Sequence, residues 1–303
     1  MLRLTLIVCF SVILVSSAQS PRTLTPDAPN PCDDCPEWNV PQPGFKIFGN
    51  SYYVGTVGLS ALLVTSDAGH ILLDAALPQS APLIDRNIRA LGFKTEDVKV
   101  IVNSHAHFDH AGGINALQRY TGATVAASQA GARALEAGLP TPDDPQIGFG
   151  ATFHAFPPVR NIRVVADGEV VKVGPLAVTA HYTPGHTPGA TTWTWQSCEG
   201  SRCLNLVYAD SLNAVAADGF RFTGDANTPS IVASFRKSID TVEQLPCDIM
   251  FAVHPVFSGL SAKVKKQAAD PNTNPFVNPG ECRTYAADAR KRLDARIAEE
   301  QRK

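Results

Sequence analysis

The chain has 303 residues, 44% of them hydrophobic and 18% charged, enough apolar material to bury one large core or two modest ones. Its formal net charge is -2, and no basic patch or stripe of the kind that nucleic acid or an anionic membrane surface needs is visible. The charge-rich run at 290–303 mixes both signs and reads as the solvated face of a helix, not a binding tail.

In chain order, the first segment is an address. Met1-Leu2-Arg3 gives a short positive start, residues 4–15 are apolar, and Ser16-Ser17-Ala18 supplies small residues for a signal peptidase. The apolar stretch is too short for a transmembrane helix. Cys9 does not mark a lipoprotein, because Val8 before it is larger than that processing wants. Residues 1–18 are therefore read as a signal peptide and 19–43, rich in Pro, Asp and Asn, as an extended N-terminal arm; 44–303 follow as a single domain.

Strand-like runs come next at 45–48, 52–55, 59–65 and 70–74, then a helix at 80–91 stopped by Gly92. A β-branched run at 98–102 leads through a His-rich stretch into a helix at 110–119, and a strand at 123–127 leads into a helix at 128–137. A Pro/Asp/Gly loop fills 140–150. The second half repeats the style, with strands at 162–165, 169–173, 176–182, 191–196 and 204–208. Thr228-Pro229 is expected to cap a helix carrying Ile231, Phe235, Ile239, Val242 and Leu245. A strand at 247–253 and a terminal helix striped by Tyr285, Ala289, Leu293 and Ile297 complete the chain. Each half runs strands, helix, strand, which predicts an α/β fold of two packed sheets with helices outside.

Six cysteines remain after the signal, an even number that suits an exported, oxidised chain. Cys198 and Cys203 flank a short loop and suit a bridge across a hairpin. Cys247 and Cys282 would then tie the C-terminal segment to the body, and Cys32 would pair with Cys35. Other connectivities stay open, as does a structural zinc site on Cys32 and Cys35, although no second close pair completes one.

The chemistry concentrates in Ser104-His105-Ala106-His107-Phe108-Asp109-His110. Buried imidazoles need partners for both ring nitrogens, so three of them beside a carboxylate are poorly explained by packing. After a strand ending near Asn103, alternation puts His105 and His107 on one side, and Asp109 and His110 on the turn beyond, free to face a second centre. These are ligand types that zinc accepts.

His-x-His-x-Asp-His after a β-rich first half resembles the signature of the metallo-β-lactamase superfamily. Gly69-His70-Ile71-Leu72-Leu73-Asp74, Thr183-Pro184-Gly185-His186-Thr187-Pro188-Gly189 and Ala252-Val253-His254-Pro255 resemble its other motifs. Tyr208-Ala209-Asp210-Ser211-Leu212, Gly49-Asn50, Tyr53-Val54-Gly55-Thr56 and Trp193-Thr194-Trp195-Gln196-Ser197-Cys198 are similar to the third subclass of class B β-lactamases, in which a serine replaces a zinc-binding cysteine. The resemblance implies a four-layer αβ/βα sandwich. It implies two Zn2+ per chain, one on His105, His107 and His186 and the other on Asp109, His110 and His254.

It further implies hydrolysis of the β-lactam amide by a zinc-held hydroxide, without a covalent acyl-enzyme. Asp109 would also orient that hydroxide. Asp74 would steady the ligand loop from behind. Ser211 would donate to the substrate carboxylate. Asn213 departs from the subclass, which has Ser or Thr there, and Gln146 is a further polar candidate. His70, His154 and His181 are read as ordinary core or surface residues. Expected surroundings are the periplasm and a small-molecule β-lactam, for a monomer with no nucleic-acid partner and no membrane attachment after signal removal. The rivals are a glyoxalase-II-like thioesterase or a lactonase, which use a bridging aspartate where Asp210 can be aligned, and a non-catalytic zinc-binding protein.

Overall fold

A computed structural model describes residues 23–226 and 228–302, without the side chains at 152 and 153; the expected signal peptide lies outside the described residues. The arm carries one short helix, α1 (Cys35–Trp38). Strands β1 (Phe45–Phe48), β2 (Ser51–Tyr53), β3 (Leu62–Val64) and β4 (His70–Leu73) precede helix α2 (Ala81–Ala90) and strand β5 (Val98–Val102). Then follow α3 (Phe108–Ala111), α4 (Ile114–Thr121), β6 (Thr124–Ala127), α5 (Gln129–Ala137), α6 (Ala151–His154) and β7 (Ile162–Val164). The second half contains β8 (Val170–Val173), β9 (Leu176–Tyr182), β10 (Thr191–Glu199), β11 (Arg202–Ala209), α7 (Val232–Gln244), β12 (Ile249–Ala252), α8 (Leu260–Ala269) and α9 (Glu281–Arg302).

One sheet orders its strands β1-β2-β3-β4-β5-β6-β7 and the other β12-β11-β10-β9-β8. Pairing is antiparallel from β1 to β4 and parallel from β4 to β7. Period-two alternation builds the layers. Ile71 and Leu73 of β4 pack between the sheets with Leu206 and Tyr208 of β11 and Ile249 and Phe251 of β12. Their neighbours point outward: Leu72 joins Ile84, Ile88 and Leu117 under the helices of the first half. Val207, Ala209, Met250 and Ala252 meet Phe235, Ile239, Ala289 and Leu293 of α7 and α9. Helix, sheet, sheet, helix is the four-layer αβ/βα sandwich that the sequence led us to expect.

Three local expectations need correction. The arm is not wholly extended, since Cys35–Trp38 forms a helical turn. The helix expected over 110–119 is two pieces parted at Gly112-Gly113, where the chain runs against Pro78: a Cβ on Gly112 would lie 2.3 Å from Phe108 O and from Pro78 Cδ. Thr228-Pro229 does not cap α7, which begins at Val232, whose N–H reaches Ser230 Oγ at 3.3 Å. Helix α8 gives no periodic signal in the sequence, because its buried residue is Leu260 alone and no apolar stripe marks it. The cysteines pair as proposed, Cys32–Cys35, Cys198–Cys203 and Cys247–Cys282, which removes the structural-zinc reading of the first pair. Among the described residues, no helix is long and apolar enough to cross a membrane.

The sandwich gathers the loops at the C-terminal ends of β4, β5, β9, β11 and β12 along one edge, where open α/β sheets present their ligands. The segment carrying His105 is fixed there from behind. Asp74 is fully buried and takes a left-handed φ of +57°, a conformation strained for a non-glycine residue. Its carboxylate accepts from Asn103 Nδ2 (3.0 Å), Ser104 N (2.7 Å), Ser104 Oγ (2.5 Å) and Tyr208 OH (2.9 Å). Trp193 Nε1 donates to Asn103 O at 3.0 Å, and Thr191 N to Ser104 O at 2.8 Å. Burial pushes the Asp74 carboxyl up to about 6, against the pull of His110 and of these donors.

Two outcomes follow from this packing. Replacing Asp74 by Ala leaves both donors of Ser104 buried without an acceptor, so urea unfolding should show a loss of about 3 kcal/mol or more; a loss under about 1 kcal/mol would mean the loop is held elsewhere. Removing the Cys247–Cys282 bridge, which closes a separation of 35 residues, should cost about 3–4 kcal/mol. An unchanged unfolding midpoint for the double Ser variant would show that α9 docks without it.

Candidate active site

His105 and His107 stand just past the end of β5, and Asp109 and His110 in the turn α3 that follows. His186 comes from the β9–β10 loop. Its predecessor Gly185 has φ +155° and lies against Phe235, where a Cβ would sit 2.3 Å from the ring. Ser211 and Asn213 follow β11, and His254 follows β12. All six residues expected to bind metal converge. The rings of His105 and His107 have centroids 4.8 Å apart, and those of His105 and His186 4.9 Å. Donor atoms of His105, His107 and His186 all lie within 4.8 Å of one another. Asp109 Oδ2 is 3.1 Å from His110 Nε2 and 3.1 Å from His254 Nε2, and those two nitrogens are 3.3 Å apart.

Hydrogen bonds at the back of each imidazole settle which nitrogen faces inward. A carboxylate or carbonyl only accepts, so the bonded ring nitrogen carries the hydrogen. His105 Nδ1 donates to Asp210 Oδ1 (2.6 Å), His107 Nε2 to the Asp144 carboxylate (3.1 and 3.2 Å), and His186 Nδ1 to Asn213 O (2.9 Å). The lone pairs are therefore on His105 Nε2, His107 Nδ1 and His186 Nε2. His105 Nε2 is buried with no hydrogen-bond partner. A cation at the convergence of the three lone pairs satisfies it, and three imidazoles backed by oxygen acceptors match what zinc binds.

The electrostatics of His105 and His186 agree. Burial, with His110 adding to it, holds His105 well below the ordinary histidine range. Burial, with His105 and His107, pushes His186 down to about 3. Both stay neutral, as ligands must. Burial opposes ionisation of Asp109, yet His110 and His254 hold its carboxyl well below the usual carboxylate range.

Ser211 and Asp210 are neighbours facing opposite ways. Ser211 lines a cleft of about 390 Å³ together with Asp109, His107, His186 and His254. Asp210 is fully buried behind His105, and burial pushes its carboxyl up to about 6. The cleft also takes in Gln146 and Asn213 on its polar side, and Trp38, Val215, Val256 and Phe257 as apolar walls. A larger cavity of about 1040 Å³, at the opposite ends of β4 and β5, contains none of the six converging residues.

The sequence reading missed three contributors. Asp144 sits in a Pro/Asp loop with no motif around it, and nothing in the sequence distinguishes it from Asp143 beside it. Trp38 belongs to the arm, yet its ring meets His254 edge-on at 5.2 Å. His154 is no bystander: it is buried, its ring lies 5.6 Å from that of His107, and its Nε2 donates to Gln146 O at 2.7 Å. His70 is a core residue against Phe93, and His181 bonds Thr194, so for those two the plain reading stands.

Comparison with known proteins places the chain. The sequence profile of the metallo-β-lactamase superfamily matches residues 54–198. The Rm3 metallo-β-lactamase is 50% identical, covering 89% of this chain and 99% of its own, with a TM-score of 0.85. MEM-A1, a subclass B3 metallo-β-lactamase isolated from a soil metagenome library, is 51% identical over 87% of this chain and 98% of its own, with a TM-score of 0.83. More distant curated relatives include an acyl-coenzyme A thioesterase of Gallus gallus, 31% identical over 29% of this chain and 34% of its own. An N-acyl homoserine lactonase of Bacillus thuringiensis is 24% identical over 67% of this chain and 83% of its own. The chain spans between 26% and 48% of the length of the first curated relatives it matches, against nearly all of the solved β-lactamases. On that near-full-length likeness, the chain belongs to the metallo-β-lactamase superfamily, among relatives of subclass B3.

Proposed function

We propose that this chain is an exported zinc hydrolase that opens the amide bond of β-lactams. One observation separates this reading from the thioesterases and lactonases of the same superfamily. Asp210 points away from the cleft to back His105, and Ser211 occupies the cleft position instead. A bridging aspartate, which the sister hydrolases use, is thereby disfavoured, and near-full-length likeness to solved β-lactamases points the same way.

His105, His107 and His186 would hold one zinc ion, and Asp109, His110 and His254 a second. Bound zinc supplies Lewis acidity and brings the pKa of a water close to neutrality. The residues of the chain do the rest. Asp109, ionised throughout the neutral range, orients the attacking water. The Ser211 hydroxyl and the Asn213 amide offer donors to the substrate carboxylate, while Gln146 reaches in from the facing loop. Trp38, Val215 and Phe257 exclude water from the rest of the substrate. Water adds to the lactam carbonyl and the ring C–N bond breaks, with no side chain acylated. Three disulfides suit the periplasm, an oxidising compartment. Acting there as a monomer, the enzyme would protect a cell from β-lactam antibiotics.

A panel of a chromogenic cephalosporin, a carbapenem, an acyl homoserine lactone and a glutathione thioester tests the substrate class. The first two should be hydrolysed, with loss on chelation and recovery with zinc; activity confined to the last two would overturn the assignment. His254→Ala should lower zinc from two ions toward one per chain and cut turnover roughly a hundredfold, the equivalent of about 3 kcal/mol of transition-state stabilisation. Unchanged zinc content and rate would remove His254 from the site.

A further inference from the structure

The loop between α5 and α6 has a buried carboxylate at its centre. Asp144 is 2% exposed. Both of its oxygens accept from His107 Nε2, at 3.2 and 3.1 Å, and Oδ1 also accepts the backbone N–H of Gln146 at 2.8 Å. Burial opposes the charge, yet the bonds from His107 and Gln146 hold the carboxyl below its ordinary range.

The surroundings show why both bonds matter. Gln146 presents its side chain to the cleft, where Nε2 lies 3.3 Å from His186 Nε2. Its carbonyl accepts from His154, and the next turn starts from Asp144 O, which accepts from Ile147 N at 3.1 Å. Pro145 O accepts from Ala217 N at 2.9 Å, joining this loop to the stretch that carries Asn213. One carboxylate thus fixes a ring on the metal side of the cleft and a backbone position on its substrate side.

We propose that Asp144 is a positioning residue with two effects: it holds His107 in the tautomer whose Nδ1 faces the metal, and it places Gln146 where its amide meets the substrate. The inference rests on the metal-binding reading of the histidine triad. A carboxylate behind a ligating imidazole fixes the ring and raises its basicity, and losing one typically weakens metal binding about 10–100-fold. The second bond extends the same group's influence to substrate affinity, an effect that a plain buried ion pair does not have.

The test measures the zinc dissociation constant, by competition with a chromophoric chelator, for the wild type, Asp144→Ala, Asp144→Asn and Gln146→Ala. The same proteins give kcat and KM with a chromogenic cephalosporin, and the metal-free forms give melting temperatures. Asp144→Ala should weaken zinc binding about 10–100-fold and raise KM. Asp144→Asn should weaken it as well, because one carboxylate oxygen becomes an N–H donor facing the His107 Nε2 hydrogen and favours the tautomer with the hydrogen on Nδ1. Gln146→Ala should raise KM while keeping zinc affinity within about twofold of wild type. Zinc affinities of both Asp144 variants within about twofold of wild type would overturn the proposal, and so would an equal loss of zinc in Gln146→Ala. Should Asp144→Ala fail to fold, Asp144→Asn decides. A wild type that binds zinc but leaves β-lactams intact defeats the proposed function while the zinc affinities still judge Asp144; a wild type that binds no zinc defeats both.

Discussion

Each imidazole of the triad is tied by one ring nitrogen to an oxygen behind it, and the other nitrogen has nowhere to look but inward. That constraint organises the site. A buried imidazole free to rotate would expose N–H and lone pair at random, and three such rings would present no common binding point. Here the acceptors are the Asp210 carboxylate, the Asp144 carboxylate and the Asn213 carbonyl. They come from the end of β11, from the loop after α5, and from the stretch after Ser211. The site therefore exists only when both halves of the sandwich are packed. Asp74 performs the matching service for the backbone, holding Ser104 in place so that His105 and His107 leave β5 in the right direction.

Much of this was legible in the sequence, for physical reasons that differ by residue. His-x-His-x-Asp-His carries its chemistry in adjacent positions, and strand alternation says which of them share a side. His186 and His254 were legible through short motifs at the ends of strands. The strands β1, β5 and β9 were visible because their apolar runs are bounded by Gly, Asp or a change of period. Asp144 was not legible, because its significance lies in a contact spanning 37 residues to a ring that could have been backed by any acceptor. Trp38 was hidden for the same reason, in an arm whose composition suggested no structure. Helix α8 shows the converse: good helix formers with almost nothing buried give no periodic signal.

The ambiguity between Asp210 and Ser211 is instructive. Two residues side by side at the end of a strand face opposite sides, so the register of β11 decides which one the substrate meets. The ladder of β11 with β12 pairs Ala209 with Ala252, and the next residue, Asp210, turns behind His105. A slip of one residue would swap their roles and with them the chemistry of the cleft. The six converging residues lie in motifs that resemble those of the superfamily, whereas this register sets which residues border the cleft. The cleft they border is polar at Ser211, Asn213 and Gln146 and apolar at Trp38, Val215 and Phe257, which suits a substrate with a carboxylate at one end and a hydrophobic substituent at the other.

The claim that back-bonding dictates the inward nitrogens is tested most directly by anomalous diffraction at the zinc edge from crystals of the zinc-loaded protein. The account predicts an anomalous peak about 2.0–2.1 Å from His105 Nε2, His107 Nδ1 and His186 Nε2. A zinc ion bound through His105 Nδ1 or His107 Nε2, with Asp210 or Asp144 displaced, would contradict it, as would the absence of any peak between the three rings.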